Sequence, residues 1–90
     1  MNAKIVEDLV RADIEGALVS VEGAGANYNI TVVSDLFDGM RAVKKQQTVY
    51  SALKESIASG DIHAVNIRTF TPEEWSQRAE RAEGEEGLEG

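Results

Sequence analysis

Cysteine is absent from the 90 residues, and proline, histidine and tryptophan occur once each, as Pro72, His63 and Trp75. Without cysteine the chain has no disulfide staple, no thiolate nucleophile and no thiolate-bound metal of its own. The absence fits a reducing compartment. No apolar run approaches the roughly 20 residues that span a bilayer. The opening "MNAKIVEDLVRAD" carries charges through its apolar positions and has no signal-peptide core, so a cytosolic location is expected. None of the six serines lies in a nucleophile-elbow context, and the one histidine has no nucleophile pattern beside it. A noncatalytic protein is expected.

Acid outweighs base, with a net charge of −7, but unevenly. Residues 73–90 hold seven carboxylates against two arginines, leaving only −2 for residues 1–72. Within those, residues 39–54 carry Arg41, Lys44, Lys45 and Lys54 and no acid. A basic segment therefore sits in a mildly acidic domain with an acidic end that competes with phosphate for it. Ninety residues suffice for one small core. Residues 1–78 are assigned to the domain, and 79–90, acidic and aperiodic, to a disordered tail.

Apolar spacing predicts an amphipathic helix over 3–13, with Ile5, Val6, Leu9 and Val10 on one face. "ALVSVEG" and "YNITVVSD" alternate as strands, with Ala17, Val19, Val21 and Tyr28, Ile30, Val32 inward, and "GAGAN" joins them as a Gly-rich hairpin loop. One face of each is more apolar, so the sheet is expected to be covered mainly on one side. A turn on Asp38-Gly39 precedes a helix over 42–58, whose apolar stripe reads as Val43, Tyr50, Leu53 and Ile57, interrupted by Gln47. "AVNIRTF" is a third strand with Val65 and Ile67 inward. In "TPEEW", Thr71 caps a last helix, Pro72 takes its first position and Glu74 completes a capping box. The order α-β-β-α-β-α predicts an α+β fold with a three-stranded mixed sheet and a right-handed crossover.

Three features are candidates for function. "GAG" at 23–25 resembles the start of a dinucleotide fingerprint, but it lacks the third glycine and is followed by a strand, so a hairpin loop is the plainer reading. "RAVKKQQ" offers Lys44 and Lys45 to phosphates, or is a solvated helix face. His63, after a Gly-Asp turn at the head of a strand, is either a working imidazole or a polar residue at a strand end.

"SDLFDGM", "VKKQQTVYSAL" and "GDIHAVNIRTFTPEEW", in this order and spacing, resemble the BolA family, in particular its IbaG/YrbA-like branch. The likeness spans about residues 3–77 and is strongest from Asp35 to Trp75. It implies a fold like the class II KH domain and a monothiol glutaredoxin as partner. It further implies a 2Fe-2S cluster shared between the two proteins, with a cysteine and a glutathione thiol on the glutaredoxin side and His63 on this side. Imidazole in place of thiolate makes such a cluster less negative and raises its potential. Asn27 stands where the family often has a second ligand, and an amide is a poor iron donor. Lys45, Gln46 and Gln47 stand where many members have an Arg-His-Arg run. The alternative implied by the family is a nucleic-acid-binding regulator that uses the KH-like surface with Lys44, Lys45 and Arg68.

Overall fold

A computed structural model of the chain describes residues 1–78. Its elements are α1 (Ala3–Asp13), β1 (Leu18–Ala24), β2 (Asn27–Val33), a single 3-10 turn (Asp35–Phe37), α2 (Ala42–Ala58), β3 (Ala64–Phe70) and a short α3 over 72–78. The sheet is three-stranded in the order β1-β2-β3, antiparallel between β1 and β2 and parallel between β2 and β3. The predicted order and mixed sheet are thus observed. Residues 79–90, expected to be a disordered tail, lie outside the described residues. Among the described residues, no helix is long and apolar enough to cross a membrane.

Both long helices pack on one face of the sheet. Val6, Val10 and Ile14 of α1 and its exit meet Val49 and Leu53 of α2 above Tyr28, Ile30 and Val32 of the central strand. Asn2 caps α1, its side-chain oxygen accepting from the Ile5 N–H at 2.9 Å, while Lys4, Glu7, Asp8 and Arg11 form ion pairs on the outer side. Of the predicted α1 stripe, Val6 and Val10 are buried, Leu9 is half-buried and Ile5 faces solvent.

Three expectations are corrected. The buried stripe of α2 is not Val43, Tyr50, Leu53 and Ile57. Val49 and Leu53 are its buried residues, flanked by Ala52 and Ile57, and Val43 and Tyr50 are exposed. The helix is rotated so that Gln47, polar, lies outside with them. Secondly, "GAGAN" is not a loop. Gly23 and Ala24 belong to β1, Asn27 begins β2, and only Gly25 and Ala26 form the turn. Gly25 has φ 66° and Ala26 a negative φ, the pattern of a type II′ hairpin. A Cβ at Gly23 would collide with the Asn27 carbonyl oxygen. Thirdly, Val33, outside the inward set expected for β2, is buried. It lies in a row between Leu18 and Phe70, at the end of the sheet where Trp75 packs against Phe70 with ring centroids 5.2 Å apart.

Between β2 and α2, the 3-10 turn drops Phe37 into the core, where it is fully buried and the largest such side chain. Ser34 holds this turn, its hydroxyl accepting from the Leu36 N–H at 3.1 Å while its own N–H donates to the Phe70 carbonyl at 2.9 Å. The last helix starts as the sequence predicts. The Thr71 N–H donates to Glu74 Oε1 at 2.8 Å, and the Glu74 N–H donates to Thr71 Oγ1 at 3.2 Å.

Two predictions follow from this packing. Phe37→Ala leaves a large void beneath α2 and should cost about 3–5 kcal/mol, read from urea unfolding. The Thr71 N–H, aided by the Thr71 hydroxyl and the nearby Lys45 ammonium, holds the Glu74 carboxyl below the ordinary 4.5. Its folded-state pKa being the lower one, its contribution is complete above the ordinary value and is lost as pH falls through the folded one. Acid titration followed by the fluorescence of Trp75 should therefore show α3 loosening in that window, and Glu74→Gln should remove the transition.

Candidate functional site

His63 stands one residue before β3, and backbone bonds fix its place. Gly60 ends the α2 exit with φ 88°, and the Ile62 N–H donates to the Ser56 carbonyl at 3.1 Å. Ile62 is only 2% exposed, so its side chain anchors the segment in the core. The next two N–H groups, of His63 and Ala64, both donate to the Ala26 carbonyl, at 2.8 and 3.1 Å. Ala26 belongs to the hairpin turn, whose other residue is braced by the Tyr28 hydroxyl donating to the Gly25 carbonyl at 2.7 Å. The backbone of His63 is thus tied to α2 behind it and to the turn beside it, while its side chain is exposed.

Asn27 pairs with Ala64, so the position matched to a second family ligand does lie next to the His63 segment. Its amide is exposed. Among the described residues no three histidine, cysteine, aspartate or glutamate side chains gather as a metal site. The donors at this end of the sheet fit one ligand position, a neutral imidazole nitrogen, and leave the remaining positions to another molecule.

The cations of the nucleic-acid alternative are dispersed rather than joined. Lys44 lines a groove with Asp13 and Tyr50 between the helices. Lys45 lies close enough to Glu74 to act on its carboxyl. Arg68 is in a row with Ser20 and Thr31 on the opposite face of the sheet.

The sequence anticipates that this second face is left largely uncovered, but not the cleft on it. The rows Ser20-Thr31-Arg68 and Glu22-Asn29-Asn66 floor a cleft of about 310 Å³ walled by Phe70, Trp75 and Arg78. Asn66 donates to Asn29 across two strands at 3.0 Å, and the Arg78 guanidinium lies over the Phe70 ring at 5.4 Å. Polar residues in these two central outward rows, Ser20-Thr31-Arg68 and Glu22-Asn29-Asn66, are the signal of an uncovered face. The cleft lies at the C-terminal end of β3, and His63 at the N-terminal end, a strand of seven residues away.

A profile of the family described as BolA-like protein matches residues 7–74. The acid stress protein IbaG of Escherichia coli K12 is 52% identical over 59 residues, which make up 66% of this chain and 70% of that protein. Among solved structures, a BolA protein homologue from Coxiella burnetii superposes with TM-score 0.74 at 28% identity, over 84% of this chain and 97% of the other. The BolA domain of SufE1 from Arabidopsis thaliana gives TM-score 0.70 at 25% identity, over 80% and 93%. The profile thus covers most of the described residues, the long helices and the mixed sheet included: the chain belongs to the BolA family.

Proposed function

We propose that the protein is a noncatalytic adaptor of the cytoplasm that binds a monothiol glutaredoxin and shares a 2Fe-2S cluster with it, in iron-sulfur cluster trafficking or iron homeostasis. The observation that carries this reading is the setting of His63: an exposed imidazole on a backbone fixed by the Ala26 carbonyl and the buried Ile62. A ligand whose backbone is already ordered loses less entropy when it binds. The lack of cysteine suits a division of labour in which this chain gives nitrogen and its partner gives thiolates.

The shared cluster supplies the electron-transfer and transfer chemistry when bound; this chain's residues supply one donor and its seat. Asn27, beside Ala64, adds no good iron donor, so His63 is the one ligand this chain contributes. A protonated imidazole has no free lone pair for iron, so acid weakens the sharing. The E. coli relative is named for acid stress, and stress response is the biological setting this favours.

The test is to mix the purified protein with a monothiol glutaredoxin, glutathione, iron and sulfide, and to record visible absorption and circular dichroism. His63→Ala should keep the far-ultraviolet spectrum of the fold and lose the mixed-complex visible bands. An unchanged visible spectrum in that variant would refute the ligand assignment. Titration with cluster-free glutaredoxin separates docking from ligation: binding that never depends on iron, with or without His63, leaves a plain interaction module.

A further inference from the structure

The outward face of α2 carries an apolar pair that the fold does not use. Val43 is 67% exposed and Tyr50 45% exposed. Val43, Gln47, Tyr50 and Lys54 follow one another at steps of four, three and four, so they form a single stripe, turned away from the buried Val49 and Leu53. Val43 and Tyr50 stand about 10 Å apart along the axis. Beside them runs a shallow groove of about 490 Å³ that includes Asp13, Lys44, Gln47 and Tyr50.

Apart from Asp13 across the groove, the charge around this stripe is positive. Arg41, Lys44 and Lys54 are exposed, and none forms an ion pair with any described residue. No acid occurs between residues 39 and 54. We infer that this face of α2 is a docking surface for an acidic, amphipathic protein segment, whose apolar residues rest on Val43 and Tyr50 and whose carboxylates meet Arg41, Lys44 and Lys54. Helix-in-groove recognition uses this combination of spaced apolar anchors and a charged rim.

Nucleic acid fits the same surface less well. Lys45, the fourth cation of the segment, is near Glu74 instead. Asp13 lines the groove. A peptide can set a neutral residue against that carboxylate, whereas a phosphate backbone is charged at every step. An exposed valine also gives a phosphate backbone nothing to bind. The inference is independent of the His63 reading, since Val43 and Lys44 lie at the α2 end next to the capping box, away from the α2 exit that leads to His63.

Site-specific photo-crosslinking tests it. The full chain carrying Tyr50→p-benzoylphenylalanine is irradiated in the cells that express it, and the cross-linked peptide is sequenced by mass spectrometry. The expected product is a segment of net negative charge with apolar residues at helical spacing. A synthetic peptide of that sequence should bind the purified full chain and lose affinity as sodium chloride is raised. Val43→Asp and Lys44→Glu should each weaken it about tenfold or more, with Tm and far-ultraviolet spectrum unchanged because both positions are exposed. Cross-links to nucleic acid, to residues 79–90, to a second copy or to a segment without net negative charge overturn the inference. So does a yield no higher than that of the same label at the exposed Lys4.

Discussion

Strand β2 is hydrogen-bonded along both edges, and its Tyr28, Ile30 and Val32 form the floor on which both helices rest. Its register decides everything around it. Asn27 stands opposite Ala64 on one side and Ala24 on the other, and a slip of one residue would turn the three buried side chains to solvent. The strong alternation of this strand makes such a slip costly. The same register brings the hairpin turn beside the start of β3 and so places His63. The position of one imidazole is therefore a consequence of core packing two residues away.

Much of this was legible in the sequence because the residues obey a single period. The helix over 3–13, the inward set of β2 and the capping box at Thr71 and Glu74 each rest on spacing that admits one reading. The α2 stripe did not. Its mean period is helical, but Val43 and Tyr50 are apolar residues kept on the surface, and they pulled the expected face round the helix, away from Val49. Phe37 and Val33 escaped for a different reason. One enters the core from a 3-10 turn and the other is buried in the row between Leu18 and Phe70 at the end of the sheet, and neither circumstance leaves a periodic trace.

The glycines of the hairpin show how composition can mislead. Three small residues in "GAG" suggest slack, whereas Gly23 is in the strand because no side chain fits against the Asn27 carbonyl. His63 was legible as a strand-end residue from the Gly-Asp pair before it. That its ring stays in solvent while its neighbour Ile62 is buried is a tertiary fact, set by where the α2 exit meets the core.

The Ala26 carbonyl receives the N–H groups of both His63 and Ala64. Sharing one acceptor makes the hairpin tip and the start of β3 a single mechanical unit. Ala26 can therefore drift in side-chain identity over evolutionary time, but Gly25 is held by its positive φ and the tip hardly changes in length. An extra residue there would carry the carbonyl away and release the imidazole-bearing segment, even though no side chain near it had changed.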